Sequence, residues 1–127
     1  MRKLTTAFIL SQILAAGVAE DSVFTPRIIG GFDAPRYPFF VHGADKILCG
    51  GSLIAPNIVL TAAHCKDAFK KSVFVGAQTR IGVDASETHQ VDFTEINPDY
   101  DLRNEWGDIM LVKLMTSSIA PVIEINR

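Results

Sequence analysis

Short apolar runs, separated by turn residues, dominate the chain after Pro38. No segment in this part sustains the 3.6-residue apolar period of an amphipathic helix for more than a few residues. Several of the runs are rich in β-branched or aromatic residues, which favour extended backbone in a half-buried sheet. The pattern therefore predicts six strands, at residues 39–42, 47–54, 58–61, 72–76, 88–96 and 109–114.

Turn signals separate the predicted strands, for example Ala55-Pro56-Asn57 and Asn97-Pro98-Asp99. Many short strands at such spacings are typical of all-β folds, and they predict a small antiparallel β-barrel or a sandwich. Residues 61–65 are predicted to form no more than a helical turn.

The first nineteen residues follow a different pattern from the rest of the chain. A basic pair at 2–3 precedes a mostly apolar run over 4–16, and small residues end at Ala19. This order predicts a secretory signal peptide over residues 1–19. A transmembrane anchor is the competing interpretation, but the run is shorter than the roughly 20 residues that a span needs. Ser11 and Gln12 also interrupt it.

Composition narrows the class of protein. A chain of 127 residues that is 48% hydrophobic with a formal net charge of −2 is typical of one ordinary globular domain. It has no cluster of basic residues that would bind nucleic acid, and no metal-binding or nucleotide-binding motif is evident. We therefore expect no cofactor, no metal and no nucleic-acid partner.

The two cysteines, Cys49 and Cys65, are predicted to form a disulfide, because export exposes an even cysteine count to an oxidising compartment. The chain-entropy model gives such a bond about 3 kcal/mol of stabilisation. Two buried thiols are an alternative. A zinc site with His64 is a third reading, which we disfavour because adjacent ligands at 64 and 65 do not fit the usual ligand spacings.

Four blocks of sequence follow one another in this order: residues 27–31 (RIIGG), 49–54 (CGGSLI), 60–65 (LTAAHC) and 108–114 (DIMLVKL). Together they resemble the trypsin-like (chymotrypsin-family) serine proteases. Two positions depart from the family pattern: Ile58 stands where the family often has Trp, and Met110 where it usually has Ala. The resemblance implies two antiparallel barrels with the catalytic groups in the cleft between them. A domain at residues 28–127 has enough residues for the first barrel only, so we expect an incomplete form of this fold.

The resemblance also implies catalytic roles for His64 and Asp108. In the family's mechanism, His64 would accept the proton of the nucleophile and later deliver it to the leaving amine. A histidine suits this task because its unperturbed pKa, about 6.5, lies near working pH. Asp108 would orient the imidazole and stabilise the imidazolium. Taken singly, His64 could merely end a helical turn and Asp108 open a strand.

We find no candidate nucleophile in the sequence. Ser52 follows two glycines, but it lies in a predicted strand without the sharp turn that exposes a nucleophile. Four other serines lack flanking glycines that would bring two backbone N–H donors together as an oxyanion hole: Ser72, Ser86, Ser117 and Ser118. His42 and His89 have no catalytic context and are expected to face solvent or to be satisfied locally.

The expected function is therefore that of a secreted, extracellular serine endopeptidase whose present chain is inactive alone. A catalytically dead secreted homologue that binds another protein is the alternative, and a nonfunctional product that is degraded is a third. The expected partners are a protein or peptide substrate and a protease inhibitor, with no membrane contact after signal removal.

The resemblance further implies zymogen activation by cleavage between Arg27 and Ile28, which would make residues 20–27 a propeptide. In the family, the freed ammonium is buried against a carboxylate beside the nucleophile, since a buried charge needs such a partner. An exposed basic linker that is cut incidentally is the competing interpretation.

Overall fold

The computed structural model describes residues 30–32, 34–45 and 48–126. The predicted signal peptide, the predicted propeptide and the Arg27–Ile28 bond all lie outside these residues. The compact unit considered below is Ala34–Arg127.

Six antiparallel strands form a closed barrel. They are β1 Phe40–Gly43, β2 Gly50–Ala55, β3 Ile58–Thr61, β4 Ser72–Val75, β5 Glu87–Ile96 and β6 Met110–Leu114. Around the barrel the order is β1-β2-β3-β6-β5-β4, and pairing between β1 and β4 closes the ring. The structure thus confirms an all-β antiparallel barrel and excludes the sandwich, since one continuous sheet with no free edge encloses the core.

Most predicted strands agree with the observed ones to within a residue or two, but the second begins later than predicted. Pairing between β1 and β2 ends where His42 faces Gly50, so Leu48 and Cys49 lie outside the ladder. The prediction that this strand starts at residue 47 was therefore wrong, because apolar content alone does not show where the neighbouring strand stops.

A 3₁₀ helix, Ala63–Ala68, follows β3. It extends further than the single turn predicted over 61–65. Ala63, Ala68 and the adjacent Phe69 are fully buried, so one face of this helix packs against the barrel core. Its burial explains why it persists: short 3₁₀ segments have poor hydrogen-bond geometry and depend on tertiary packing.

The core lies inside the barrel and consists of inward-facing side chains from all six strands together with residues of the 3₁₀ helix and the adjacent Phe69. Every second residue of β3, β4 and β6 is buried, as the period of two requires. The largest fully buried side chains are Phe69, Leu53, Met110, Leu114, Val41, Val59, Val73, Val75 and Val112. Met110, a departure from the family pattern, is thus a core residue.

Gly51 explains the paired glycines of the second sequence block. A Cβ atom at this position would meet the Leu60 carbonyl oxygen at 2.8 Å and Val59 Cγ1 at 2.8 Å. Only glycine allows β2 and β3 to approach this closely. Ser52 consequently sits in a packed strand, opposite Leu60, and not at an exposed turn.

Candidate active site

The barrel register brings His64 and Asp108 together. His64 lies in the first turn of the 3₁₀ helix that follows β3, and Asp108 lies two residues before β6. These two strands are neighbours, with Thr61 opposite Met110. Two side chains that are far apart in sequence therefore emerge at the same end of one strand pair.

Asp108 binds His64 through both carboxylate oxygens. Its Oδ2 is 2.6 Å from His64 Nδ1, and its Oδ1 accepts a hydrogen bond from the His64 backbone N–H at 2.9 Å. An ionised carboxylate only accepts hydrogen bonds, so Nδ1 carries the ring proton and Nε2 is left as an acceptor. The imidazole side chain is 59% exposed and that of Asp108 22%, so the acceptor nitrogen belongs to the accessible member of the pair.

The same contacts keep Asp108 ionised. The hydrogen bond from the His64 ring lowers the pKa of the Asp108 carboxyl below its ordinary value of 3.8, and the backbone N–H of His64 lowers it further, whereas partial burial opposes the shift. Hydrogen bonds to the charged form of an acid favour that form. The carboxylate can therefore stabilise a positive charge that develops on the imidazole.

This lowered pKa makes an acid-sensitivity prediction. A carboxyl group whose pKa is depressed by folding stabilises the folded chain fully above its unfolded pKa, and the stabilisation is lost as the pH falls through the folded value. We expect the free energy of unfolding to decrease as the pH is lowered below about 3.8. The difference between neutral pH and about pH 3 should be smaller for Asp108→Asn. Denaturant titrations at both pH values measure it, and equal differences in the two proteins would contradict the assignment.

The segment between β5 and β6 fixes the position of Asp108. The Asn97 backbone N–H donates to the Ile109 carbonyl at 3.0 Å, and Asn97 Nδ2 donates to the Gly107 carbonyl at 3.0 Å. Gly107 has φ of +68°, and a Cβ atom there would meet Asn97 Nδ2 at 2.7 Å. Sequence reasoning missed this supporting role, although it identified Asn97-Pro98-Asp99 as a turn.

Cys49 and Cys65 form the predicted disulfide, with their Cα atoms 5.8 Å apart. The bond ties the residue before β2 to the 3₁₀ helix, immediately after His64. It therefore holds the helix that carries the imidazole. Because each sulfur is bonded to the other, neither is a thiolate in this form, and the buried-thiol interpretation is wrong.

Among residues 34–45 and 48–126, no hydroxyl or thiol forms a hydrogen bond with the free nitrogen of His64. The buried Ser118 instead donates to Glu87 Oε1 at 2.9 Å. His42 and His89 are buried as well, so the solvent-facing alternative is wrong for both. His42 contacts the carbonyl oxygens of Gly43 and Thr79, and His89 lies between Glu87 and Thr116.

Comparison with known proteins places this barrel in a family. A family model described as Trypsin matches residues 28–126. Trypsin V-A of Rattus norvegicus is 34% identical over 117 residues, which cover 88% of this chain and 46% of that protein. A trypsin-like protease of Streptomyces glaucescens is 37% identical over 131 residues, covering 91% of this chain and 44% of that protein.

A solved structure agrees with the sequence relatives. The VesB protease of Vibrio cholerae is 28% identical, with a TM-score of 0.62 over 71% of this chain and 31% of that chain. This chain spans less than half the length of the relatives that it matches. The match of the Trypsin model includes the whole barrel and both members of the His64–Asp108 pair. The chain belongs to the trypsin family.

Proposed function

We propose that this chain carries the histidine–aspartate part of a serine endopeptidase active site, with the nucleophilic serine supplied by polypeptide outside these 127 residues. The 2.6 Å contact between His64 Nδ1 and Asp108 Oδ2 carries the proposal. It leaves Nε2 able to accept a proton, and family membership supports proteolysis as the use of that base.

In the proposed mechanism, the serine hydroxyl transfers its proton to His64 Nε2 as its oxygen attacks the peptide carbonyl. The resulting imidazolium carries one positive charge, which Asp108 stabilises through the Nδ1–H hydrogen bond. The imidazolium then gives the Nε2 proton to the leaving amine, and an acyl-enzyme remains. Water then attacks the acyl-enzyme, His64 again accepts the proton, and the acid product is released as the serine hydroxyl is restored.

The remaining parts of the proposal concern residues 1–28. We propose a signal peptide at 1–19 that directs secretion, a propeptide at 20–27 and activation by cleavage between Arg27 and Ile28. The match of the Trypsin model, which begins at residue 28, supports this boundary. In the part of the chain that the structure describes, no helix is both long and apolar enough to cross a membrane.

The proposed substrates are proteins or peptides, and a protease inhibitor is a further proposed partner. Neither a cofactor nor a nucleic acid enters the proposed reaction. The contact between His64 Nδ1 and Asp108 Oδ2 supports an enzyme over a catalytically dead binding homologue, because a binding surface does not need an oriented base.

A hydrolysis assay tests the proposal. The purified 127-residue chain should hydrolyse peptide esters no faster than buffer. Activity should appear when the chain is joined to a family segment that contains the Gly-Asp-Ser-Gly-Gly nucleophile turn and is cut between Arg27 and Ile28, because the missing group is then present and the proposed propeptide is removed. His64→Ala should abolish that activity.

Two outcomes would contradict this proposal. Turnover by the chain alone that His64→Ala abolishes would show that the chain holds its own nucleophile. Turnover by the joined protein that survives His64→Ala would show that His64 is not the base. Asp92→Asn, at an exposed position of β5, serves as the control that should leave turnover unchanged.

A further inference from the structure

We propose that the peptide bond between Arg80 and Ile81 is a site of limited cleavage by an arginine-specific endopeptidase. Both residues are exposed and lie in the loop that joins β4 to β5, where Ile81 is 71% exposed. Exposed loop tips are where proteolytic cleavage of folded proteins concentrates. The step is a hydrolysis: one water adds across the bond, Arg80 gains a carboxylate, Ile81 gains an ammonium, and no electrons are transferred.

The Arg80 side chain is available to such an enzyme. Its guanidinium forms no hydrogen bond or ion pair with any residue that the structure describes. Arg36 differs, because its guanidinium donates to the carbonyl oxygens of Gly76 at 3.0 Å and Asp84 at 2.6 Å and to the Asp84 carboxylate at 3.1 Å. An arginine-specific enzyme must bind the guanidinium through charge-assisted hydrogen bonds of its own. Arg80 can form them at once, whereas Arg36 would first lose its present contacts.

The backbone at the cleavage site is held by few contacts. Within the described part of the chain, the Arg80 carbonyl oxygen and the Ile81 N–H take part in no hydrogen bond. A β-turn hydrogen bond, from the Gly82 N–H to the Thr79 carbonyl at 3.0 Å, spans the peptide bond. Because an endopeptidase binds its substrate as an extended strand, this turn has to open before cleavage.

The exposed loop between β5 and β6 provides a comparison, because it contains Arg103. The Arg103 N–H donates to Asp101 Oδ1 at 2.9 Å, and Asn104 Nδ2 donates to Asp101 Oδ2 at 2.7 Å. The Asn104 N–H, which belongs to the peptide bond that would be cut, donates to the Asp101 carbonyl at 3.3 Å. Hydrogen bonds to a charged group are stronger than those between neutral groups. Exposure alone therefore does not make Arg103–Asn104 an equal site.

The base of the β4–β5 loop is anchored on both sides of its tip. The Asp84 carboxylate accepts hydrogen bonds from the Gln78 N–H at 2.9 Å and the Thr79 N–H at 3.0 Å. It also pairs with Arg36. These contacts confine the opening to the tip, so β4 and β5 keep their pairing when the bond is cut.

The cut would leave two pieces that the barrel holds together. One piece carries β1 to β4 and both cysteines, and the other carries β5 and β6. Pairing of β4 with β5 and of β3 with β6 joins them. Because these ladders and not the loop hold the barrel closed, the cut chain should keep its fold.

The same cut separates the two members of the candidate active site. His64 lies before it and Asp108 after it, so their 2.6 Å contact becomes one between two polypeptides. Under the proposed function, on which this consequence rests, the oriented base then depends on non-covalent pairing. The residue pair also repeats that of the proposed activation bond, Arg followed by Ile at 27–28, so one class of endopeptidase serves both. Cleavage requires no activity of this chain, so the two proposals can fail separately.

The test treats the whole chain with a small amount of an endopeptidase that cuts only after arginine. Mass spectrometry should show Arg80–Ile81 as the first bond cut within residues 34–126. It should be cut about tenfold faster than Arg103–Asn104, the factor for loss of one hydrogen bond to a charged group. A first cut after Arg36 or Arg103 would overturn the proposal. Equal rates at all three arginines, the result for an unfolded chain, would overturn it as well.

Variants and the cut product complete the test. Arg80→Gln should abolish this cut, whereas the matched control Arg103→Gln should leave its rate unchanged. The two pieces should elute together in size-exclusion chromatography and separate on a denaturing gel without reductant, because both cysteines lie on one piece. Tm of the cut chain should rise with protein concentration, since its unfolding includes dissociation. Equal rates of cleavage in wild type and Arg80→Gln would refute the assignment.

Discussion

In an active enzyme that contains this chain, Asp108→Asn is expected to lower kcat by about 10⁴-fold near neutral pH, the size known for this aspartate in the family's triad. The structure gives the reason. The His64 backbone N–H donates to Oδ1 and therefore selects the amide oxygen of the asparagine for that place. The amide NH₂ is then directed at His64 Nδ1, where it donates and no longer accepts.

The imidazole responds to this reversal by changing tautomer. Nδ1 becomes the acceptor, the proton moves to Nε2, and Nε2 can no longer take the proton of the serine. The geometry stays nearly the same, because aspartate and asparagine have the same shape. The loss should therefore fall on kcat far more than on KM.

Two measurements check this prediction. Steady-state kinetics of the joined protein should show the fall, with Asp92→Asn as the matched control. On the chain alone, nitrogen NMR should show the His64 proton on Nδ1 in wild type and on Nε2 in Asp108→Asn. A variant that keeps the wild-type tautomer, or more than about a tenth of the wild-type kcat, would contradict the assigned role of Asp108.

Removal of the disulfide by Cys49→Ala together with Cys65→Ala is expected to destabilise the chain by about 3 kcal/mol. The two cysteines are 16 positions apart, and opening that loop raises the conformational entropy of the unfolded chain. At about 4–8 °C for each kcal/mol in a domain of this size, Tm should fall by roughly 12–24 °C.

Thermal unfolding in the presence and absence of a reductant provides the control. Reduction should lower Tm of the wild-type chain by a similar amount and should leave the double variant unchanged, since the variant has no sulfur to reduce. A Tm for the double variant within about 3 °C of the oxidised wild type would refute a stabilising role for this bond.

Local pattern was sufficient for much of the barrel. The apolar run at residues 109–114 and the β-branched residues at 58–61 predicted β6 and β3, because residue type and the length of an apolar run are local properties of each strand. The start of β2 and the length of the 3₁₀ helix were not predictable, because each depends on a partner that is distant in sequence.

Closure of the barrel could not be predicted from the sequence either. Pairing of β1 with β4 involves residues from two separate hairpins, so no local signal distinguishes a closed barrel from two packed sheets. The support of Asp108 by Asn97 and Gly107 likewise depends on how the β5–β6 connection folds back on itself.

The sequence by itself determined the strand pattern, the resemblance to a protease family and the residues that could act as base and orienter, because residue type and local spacing carry that information. Only the tertiary structure decided that Nδ1 of His64 meets Asp108 at 2.6 Å, which nitrogen remains to accept a proton, and that both cysteines lie beside the same imidazole. The physical reason is that barrel register, set by pairing across the whole sheet, positions these groups in space.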